Sequence, residues 1–228
     1  MSAVATAEER KYPRTVHLAF SPCVFSDDLQ QTNSSVFEGE EVVITEKLDG
    51  GNCCIDVMDK KVFARTHSHP TAHPSFGPVK ALAQTLFWDP NFPTGIKLFG
   101  ECMFGIHSIE YDNLQSFFYL FGVLENDSIW WSWEKTEALA QKYNLALPPV
   151  VFRGSTTISE IKMLMDDRIN QPSGLGLGQV KPEGFVIRKT KAFASSEFLG
   201  SIAKYVRKNH LQTDTNWKTT WRKASLNS

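Results

Sequence analysis

The sequence predicts an α+β fold, and three observations support that prediction. The chain has 228 residues, of which 42% are hydrophobic, so it can form one sizeable domain with a packed core. Strand-like runs outnumber helix-like runs and mix with them irregularly along the sequence. The regular strand–helix alternation that predicts a parallel sheet does not occur in this pattern.

Three strands are predicted in the first third of the chain, and we expect them to form an antiparallel meander. Glu41–Glu46 is the first strand and ends at the turn Asp49-Gly50-Gly51. Asn52–Val57 resumes as a strand, and Lys61–Ala64 adds a third. The stretch His67–Pro78 is rich in Pro and His, which predicts a loop.

Capping residues and apolar runs predict the remaining elements. Pro is tolerated at the start of a helix, Ser132 is a capping residue, and Thr157 and Glu160 have capping-box spacing. The stretch Glu197–Lys208 fits either a helix or a helix followed by a strand. The other predicted elements are helices over Pro78–Trp88, Ser132 to about Tyr143 and Thr157 to about Arg168, and strands over Ile96–Glu101, Phe117–Leu124, Val150–Phe152 and Gly184–Lys189.

Composition and charge narrow the class of protein. No apolar stretch is long enough to span a bilayer, and the first residues lack the apolar run of a secretory signal. We therefore expect an intracellular protein, cytoplasmic or nuclear, with no membrane partner. The four cysteines contain no CxxC pair and are expected to be small buried hydrophobes. A formal net charge of −1 argues against a bulk nucleic-acid binder, but it allows an enzyme that binds one nucleic-acid end through a local basic patch.

A lysine at the end of a predicted strand is the first candidate for chemistry. In Lys47-Leu48-Asp49-Gly50, the ammonium could face a cleft on a rigid support. A lysine becomes a nucleophile when desolvation or neighbouring positive charge lowers its pKa. The alternative is a hairpin turn that carries a solvated lysine.

Two glutamates and a basic stretch are the other candidates. Glu101 ends an apolar strand and Glu183 precedes another, and such carboxylates can bind Mg²⁺ or a ribose hydroxyl. Lys204 and Arg207 could hold phosphates. The alternatives are exposed turn residues for the glutamates and a solvated face for the cations.

In their order along the chain, these motifs resemble those of the covalent nucleotidyltransferases, the superfamily of polynucleotide ligases and mRNA capping enzymes. Glu46, Asn52 and the Phe-Gly-Glu form of residues 99–101 resemble the RNA ligases within it, as do the stretches 12–18 and 204–214. The segments that carry the superfamily resemblance are Lys47–Gly50, Phe99–Glu101, Phe117–Val123, Glu183–Ile187 and Lys204.

The resemblance implies a nucleotidyltransferase domain of twisted, mainly antiparallel sheets flanked by helices, over residues 13–210. Residues 1–12 are expected to be frayed, and residues 211–228 to form a short basic and aromatic tail without an OB domain. In that tail, Trp217 to Arg222 interleaves aromatic and cationic residues as single-strand binders do. The end of an amphipathic helix is the alternative for this stretch.

The resemblance further implies an ATP-dependent RNA ligase. Lys47 would take up AMP from ATP as lysyl-AMP, the AMP would pass to a 5′-phosphate end of RNA, and a 3′-hydroxyl end would then displace it. The implied cofactors are ATP and Mg²⁺ (or Mn²⁺), and the implied partner is RNA bound by a monomer. A capping-type guanylyltransferase and a nucleotide-binding regulatory pseudoenzyme are the alternatives. Capping enzymes generally carry an OB domain, for which the residues after Lys204 are too few.

The same resemblance assigns roles to individual residues. Lys204 is the second catalytic residue, and Glu183 is the metal-side carboxylate, with Asp49 as another metal candidate. Phe121 is expected to stack on adenine. Arg188 has the opposite side-chain parity from Glu183 along their strand, so a twist or bulge would be needed to bring both to one site. The residues implied to contact the nucleotide are Glu46, Asn52, Arg65, Glu101, Phe121, Arg188 and Arg207.

Two positions depart from the pattern of the superfamily. Gly122 stands where an Asp is common, which puts the contribution of that Asp in doubt. Val206, rather than a second lysine, follows Lys204 at a spacing of two residues. Either Arg207 or Lys208 would then complete the phosphate contacts.

Overall fold

The computed structural model of the chain describes residues 10–26, 28–65, 69–208 and 221–227. These residues form two large sheets, one two-stranded pair and four α-helices, which confirms the α+β prediction. The helices are α1 (Gly77–Phe87), α2 (Trp133–Lys142), α3 (Ile158–Arg168) and α4 (Phe198–Ser201). The strands are β1 (Val16–His17), β2 (Glu41–Lys47), β3 (Gly51–Asp56), β4 (Lys61–Ala64), β5 (Ile96–Cys102), β6 (Gly105–Ile106), β7 (Phe118–Glu125), β8 (Ile129–Trp130), β9 (Val150–Ser155), β10 (Gly184–Lys189), β11 (Phe193–Ala194), β12 (Ile202–Val206) and β13 (Arg222–Lys223).

The first sheet has the strand order β1-β12-β10-β2-β9, and only its β1–β12 pair is parallel. Alternate residues of its strands, such as Val42, Ile44 and Ile187, pack on Ile161 and Met165 of α3. Because successive side chains of a strand point to opposite faces, the residues that alternate with these lie on the other face of the sheet. That opposite face looks toward the second sheet.

The second sheet has the strand order β11-β8-β7-β5-β3-β4, and its pairs are antiparallel. One face is covered by α1 and α2 through an apolar cluster that includes Ile55, Leu98 and Val79. On the other face, Cys54, Phe99 and Trp130 meet Ile202 of the first sheet in a shared cluster. The two sheets therefore pack face to face, with helices on their outer sides.

The predicted meander is wrong at its first turn. β2 pairs with β9 and β10 in the first sheet, whereas β3 pairs with β4 and β5 in the second. The segment Lys47-Leu48-Asp49-Gly50 is therefore a crossing between the sheets and not a hairpin. A Cβ at Gly50 would lie 2.6 Å from the carbonyl oxygen of Cys102 and 2.7 Å from Met103 Sδ, so the crossing requires glycine.

Several local predictions are confirmed. Ser132 caps α2 by accepting a hydrogen bond from the Lys135 amide, and Thr157 forms a capping box with Glu160 at the start of α3. The ambiguous stretch 197–208 contains a short helix, α4, followed by the strand β12. None of the described helices has the length and apolarity needed to cross a membrane.

The cysteine prediction is confirmed for three of the four residues. Cys53, Cys54 and Cys102 are buried and carry no disulfide, and burial raises the pKa of all three thiols. Cys23 is only partly buried. Cys23 belongs to the segment that follows β1 at the edge of the first sheet, whereas the other three cysteines lie in strands β3 and β5 of the second sheet.

The prediction that residues 1–12 are frayed is wrong for residues 10–12, the part of this stretch that the structure describes. Residues 1–9 lie outside the described residues, but Arg10 is only 8% exposed, and its Nε lies 3.1 Å from Asp56 Oδ2. A buried carboxylate such as Asp56 needs a partner, which local polarity does not reveal. The ring of Tyr12 packs against four aromatic rings, those of Phe99, Phe121, Trp130 and Phe198.

The described part of the C-terminal tail pairs with the domain. β13 pairs with β6 in an antiparallel register, and the Trp221 ring contacts those of His73 and Phe104. The alternative of a helix end is therefore wrong at Arg222, which lies in β13. The remainder of the predicted tail, residues 211–220 and 228, lies outside the described residues.

Candidate active site

A cavity of about 990 Å³ is lined by residues of both sheets and of the N-terminal segment. Of the eleven residues that the sequence singled out, only Arg207 does not line it. Six cations and five carboxylates meet around this space. The charged lining residues are Lys11, Arg14, Asp28, Glu46, Lys47, Asp49, Arg65, Glu101, Glu183, Arg188 and Lys204.

The register of three neighbouring strands brings cations to one face of the first sheet. Lys47 of β2 is paired with Gly184 of β10, and Val186, two residues on, is paired with Lys204 of β12. Arg188 lies two residues further along β10. Since paired residues and every second residue share a face, Lys47, Lys204 and Arg188 point to the same side.

Lys47 and Glu183 form the central contact of the cavity. Lys47 Nζ donates hydrogen bonds of 2.6 and 2.7 Å to the two carboxylate oxygens of Glu183. Burial alone would lower the pKa of Lys47, but the charges of Glu183, Glu101 and Asp49 outweigh burial and raise it overall. In this arrangement the amine is protonated, so the pair holds the nitrogen in place without making it a nucleophile.

Glu101 faces the same space from the second sheet, where it is the register partner of Asn52. Burial raises the pKa of Glu101 to about 8, with the charges of Glu183 and Asp49 adding to the effect and Lys47 opposing it. A carboxyl group that keeps its proton near neutral pH can donate as well as accept a hydrogen bond. The ribose hydroxyl predicted for this site needs such a partner.

Asp49 holds a loop at the rim of the cavity. Its Oδ2 accepts hydrogen bonds of 2.8 and 2.6 Å from the amide and hydroxyl of Ser108, and one of 2.7 Å from the amide of Ile109. The sequence suggested Asp49 as a metal ligand, but this oxygen is committed to the loop. The same loop carries His107, which lines the cavity.

Lys204 is held by a residue that sequence reasoning did not single out. Its Nζ donates a 2.9 Å hydrogen bond to Asp28 Oδ1, and Asp28 Oδ2 lies 3.0 Å from His17 Nε2. His17 is paired in register with Lys204 through β1 and β12. Burial and the charge of Lys204 lower the pKa of His17 to about 4, so the ring is neutral at neutral pH.

Arg188 reaches the cavity without the twist or bulge that side-chain parity seemed to require. β10 begins only at Gly184, so Glu183 precedes the strand and is not bound by its alternation, and the register of β10 is regular. Arg188 donates hydrogen bonds to the carbonyl oxygens of Phe121 (3.2 Å) and Trp131 (2.7 Å). Burial lowers its pKa to about 10, so the guanidinium is charged at neutral pH.

Phe121 lies at an irregularity of the second sheet. Phe99 is paired with Gly122 and Gly100 with Leu120, so Phe121 is the extra residue of a bulge in β7. Its ring is partly buried, lines the cavity and meets Tyr12 edge to face at 4.9 Å. The position predicted to stack on adenine is thus available to a ligand.

Glu46, Asn52 and Arg65 complete the predicted nucleotide contacts. The Glu46 carboxylate accepts hydrogen bonds from the Ser173 hydroxyl and the Gly174 amide (2.7 Å), and burial raises its pKa. Glu46 therefore ties the loop that contains Ser173 and Gly174 to the end of β2. Arg65 is exposed at the end of β4, and its amide donates to the carbonyl oxygen of Asn52.

Arg207 lies outside the cavity and acts through its backbone. Its amide donates a 3.0 Å hydrogen bond to the carbonyl oxygen of Glu183, which fixes the residue that holds Lys47. Lys208 does not line the cavity either. The departure at Gly122 also has a structural reason, because a Cβ there would lie 3.2 Å from the ring of Trp130, which leaves little room for an Asp side chain.

Sequence reasoning missed a group of lining residues from the N-terminal segment and from loops. Their residue types are ordinary and they lie outside the motif segments, so no local signal marked their contribution. The resemblance of stretch 12–18 pointed to the segment without assigning it a role. The missed residues include Lys11, Tyr12, Phe25, Asp28, Leu29, His73, His107 and Trp133.

The carboxylates of the cavity fit a hard divalent cation that is shared with phosphate. Among the described residues, no group of three or more Asp, Glu, His or Cys side chains could hold a metal ion by itself. Mg²⁺ commonly keeps several waters and takes one or two carboxylates together with substrate phosphates. Glu183, the carboxylate that the sequence assigned to the metal, lines this cavity and could take that part.

Comparisons with known proteins identify related folds. The family model for RNA ligase matches residues 40–206, and no curated protein matches the chain. An archaeal ATP-dependent RNA ligase is 19% identical, with a TM-score of 0.55, over 86% of this chain and 48% of its own. A Naegleria gruberi RNA ligase with PPi is 17% identical, with a TM-score of 0.52, over 76% of this chain and 51% of its own.

A variant of the Naegleria gruberi RNA ligase with ATP and Mn is also similar. It is 17% identical, with a TM-score of 0.52, over 83% of this chain and 61% of its own. The aligned part of this chain thus spans 48–61% of the length of these three solved proteins. At such identities, the similarity shows a shared fold.

Proposed function

Because the chain belongs to the RNA ligase family, whose model matches residues 40–206, we propose that it is an ATP-dependent RNA ligase with Lys47 as its nucleophile. One observation carries the proposal. The cavity holds the Lys47 amine against Glu183, on the same sheet face as Lys204 and Arg188 and opposite Glu101 and Phe121. Cations for phosphates, a carboxyl for ribose and an apolar ring for a base thus surround one nucleophile.

In the first step, Lys47 Nζ attacks the α-phosphorus of ATP. The P–N bond forms, the bond to the oxygen that bridges the α- and β-phosphates breaks, and pyrophosphate leaves. Lys47 must lose its proton first, so the hold of Glu183 on the ammonium has to weaken when substrate arrives. A bound Mg²⁺ or Mn²⁺ supplies positive charge that neutralises phosphate oxygens and lowers the pKa of a nearby amine.

In the second and third steps, AMP moves to RNA and is then displaced. An oxygen of the RNA 5′-phosphate attacks the AMP phosphorus, and the P–N bond to Lys47 breaks. The 3′-hydroxyl oxygen of the other RNA end then attacks the 5′-phosphorus, loses its proton, and AMP leaves. Lys204 and Arg65 are the cations that would neutralise the developing charge on the phosphates.

In this proposal the nucleoside end of ATP lies against the apolar residues between the two sheets. Phe121 and Val186 belong to one apolar cluster between the sheets, and both line the cavity, so a base could lie against them. The Glu101 carboxyl, which keeps its proton near neutral pH, would hold a ribose hydroxyl. Joining of 5′-phosphate and 3′-hydroxyl ends by a monomer is part of the same proposal.

Incubation with labelled nucleotide and Mg²⁺, followed by a denaturing gel, tests the proposal. We expect label on the protein from [α-³²P]ATP and none from [γ-³²P]ATP, with no label on the Lys47→Ala variant. Label from [α-³²P]GTP alone would favour a capping-type guanylyltransferase. Absence of label from either nucleotide would favour a regulatory pseudoenzyme, and label that survives Lys47→Ala would remove Lys47 as the nucleophile.

The acceptor is tested separately. A 5′-³²P-labelled RNA with a 3′-hydroxyl partner strand is incubated with protein, ATP and Mg²⁺, and the label should become resistant to phosphatase. The same strands as DNA serve as the comparison. Joining of DNA but not RNA would contradict the choice of RNA as the acceptor while leaving lysyl-AMP formation intact.

A further inference from the structure

The N-terminal segment, described over residues 10–26 and 28–31, lies before the part of the chain that the family model matches, yet it forms one wall of the cavity. β1 adds it to the first sheet in register with Lys204, and residues 29–31 continue along β1. The His17 amide donates to the carbonyl oxygen of Leu29 (2.7 Å), and the Gln31 amide donates to that of His17 (2.8 Å). The wall is therefore fixed to the strand that carries Lys204.

Two large apolar side chains of this segment remain open to solvent at the cavity. Phe25 and Leu29 are each 45% exposed and line the same space as the charged residues. Most large apolar side chains of the chain are buried in the clusters between sheets and helices. An exposed aromatic ring beside charged groups is a typical platform for a ligand that has both a flat apolar face and a charge.

A single carboxylate connects Phe25 to the phosphate-binding cation. Asp28 Oδ2 accepts a 3.2 Å hydrogen bond from the Phe25 amide, while Asp28 Oδ1 accepts one from Lys204 Nζ. Asp28 thus links the Phe25 backbone to the Lys204 ammonium, and the two residues line the same cavity. A nucleotide offers the matching pair of features, a base with a flat face and an attached phosphate.

The base of ATP has another place to bind. Phe121 belongs to the second sheet, and its carbonyl oxygen is bonded to Arg188, whose register partner on β12 is Ile202. β10, which carries Arg188, and β1, which belongs to the segment of Phe25, flank β12 on its two sides, so Phe121 and Phe25 are tied to different neighbours of the strand that carries Lys204. A nucleotide that stacks on Phe25 would therefore reach Lys204 from the β1 side of its strand, apart from the Phe121 position.

We propose that Phe25 and Leu29 form a stacking platform for the terminal base of the RNA end whose 5′-phosphate lies at Lys204. The proposal rests on the proposed function, because it takes RNA as the acceptor. Stacking of one base on an aromatic ring is worth about 1–3 kcal/mol, which corresponds to a change in affinity of roughly 5- to 150-fold. Asp28, which now holds Lys204, would share that cation with the arriving phosphate.

RNA binding is measured by fluorescence anisotropy with a fluorescein-labelled, 5′-phosphorylated single-stranded RNA in Mg²⁺. All proteins carry Lys47→Ala, so that no covalent step occurs and ATP binding can be measured on the same proteins by equilibrium dialysis. The variants are Phe25→Ala, Phe25→Leu and Phe25→Trp. Leu199→Ala is the matched control, because Leu199 is a large apolar residue, 51% exposed, that does not line the cavity.

We expect Phe25→Ala to weaken RNA binding by about 10-fold, several times more than it weakens ATP binding. Phe25→Trp should bind like the parent protein, since it keeps an aromatic face, and Phe25→Leu should lose affinity. The loss should be larger for the phosphorylated RNA than for the same RNA with a 5′-hydroxyl, because the phosphate places the base beside Lys204. Leu199→Ala should match the parent.

Four results would overturn the platform. The first is no RNA binding by the parent protein, and the second is equal RNA affinity of Phe25→Ala and the parent. The third is a loss of affinity in Phe25→Ala that is equal for ATP and RNA. The fourth is a loss that is equal for the 5′-phosphorylated and the 5′-hydroxyl RNA. If a thermal melt shows that Phe25→Ala is not folded, the comparison of RNA affinity between Phe25→Leu and Phe25→Trp decides instead. Labelling of the unmodified protein with [α-³²P]ATP is a separate experiment. If Lys47 is not adenylylated but Phe25→Ala still weakens RNA binding as expected, the proposed function fails and the platform stands.

Discussion

Lys47 Nζ lies 2.6 and 2.7 Å from the two carboxylate oxygens of Glu183, a residue 136 positions further along the chain. The two side chains meet because β2 and β10 are neighbours, with Lys47 paired with Gly184. The contact both places the amine and keeps it protonated. Removal of the carboxylate should therefore have two separable effects.

Replacement of Glu183 by Gln should lower the pKa of Lys47, since the main charge that raises it is lost. The pH at which lysyl-AMP formation is half-maximal should fall by about one unit, because the amine loses its proton more easily. The maximal rate should fall by about 10-fold or more, because the metal-side carboxylate is lost.

First-turnover label incorporation from [α-³²P]ATP, followed as a function of pH, measures both effects. Glu137→Gln is the control, since Glu137 is a partly exposed carboxylate paired with Arg153 away from the cavity. A profile that keeps its midpoint in Glu183→Gln would show that this carboxylate does not set the pKa of Lys47.

Replacement of Glu101 by Gln should change the pH dependence of stability. Burial raises the pKa of Glu101 from 4.5 to about 8, so between these values the folded protein holds a proton that the unfolded chain has lost. This contribution to stability is fully present below about pH 4.5 and is lost as the pH rises to about 8. Glu101→Gln should therefore gain stability over the unmodified protein across that window, on the order of 1–2 kcal/mol after allowance for solvent screening.

Urea unfolding at several pH values gives the difference in free energy of unfolding between the two proteins. Glu110→Gln provides a matched control at an exposed carboxylate paired with Arg222. A constant difference between the Glu101→Gln and unmodified proteins from acid to alkaline pH would contradict the raised pKa.

Replacement of Gly50 by Ala should disturb the crossing between the two sheets. The new Cβ would lie within 2.7 Å of the Cys102 carbonyl oxygen and Met103 Sδ, so the segment has to move. Overpacking of this kind costs about 1–3 kcal/mol, and we expect lysyl-AMP formation to fall with it because Lys47 stands at the start of the crossing.

Gly200→Ala is the control for this change, since a Cβ at Gly200 in α4 meets no atom within 4 Å. Chemical denaturation and the labelling gel are carried out on both variants. Wild-type stability and labelling in Gly50→Ala would mean that the crossing tolerates a side chain, and the physical reason given for this glycine would be wrong.

Asp49 should respond differently from Glu183 to the concentration of Mg²⁺. Asp49→Asn keeps an oxygen that can accept from the amides of Ser108 and Ile109, so the half-saturating Mg²⁺ concentration should move by less than about twofold. Glu183→Gln should raise that concentration by about 10-fold.

The measurement is initial labelling velocity against Mg²⁺ at saturating ATP. Asp49→Ala adds a test of the loop, because two amides lose their acceptor, which should cost about 1–3 kcal/mol in the free energy of unfolding. Equal shifts in Mg²⁺ requirement for Asp49→Asn and Glu183→Gln would restore Asp49 as a metal ligand.

Much of the fold followed from local patterns. Capping residues at Ser132 and Thr157 marked helix starts because their side chains satisfy amides of the first turn, which is a local interaction. Strand β4 and strand β10 were predicted with their observed bounds. The pairing of strands was not predictable in the same way, and the expected meander of β2 with β3 was wrong because the turn chemistry at Asp49–Gly51 suits a crossing as well as a hairpin.

The amino-acid sequence by itself determined which residues were candidates, because a nucleophile, carboxylates and cations in a fixed order are a property of the chain alone. Ten of the eleven candidates line one cavity. Only the tertiary structure decided what each one does there. Strand register set Lys47 against Glu183, hydrogen bonds tied Asp49 to its loop, and Arg207 contributes its amide and not its side chain. The N-terminal wall with Phe25 and Asp28 likewise depends on contacts with residues far along the chain, which no local pattern records.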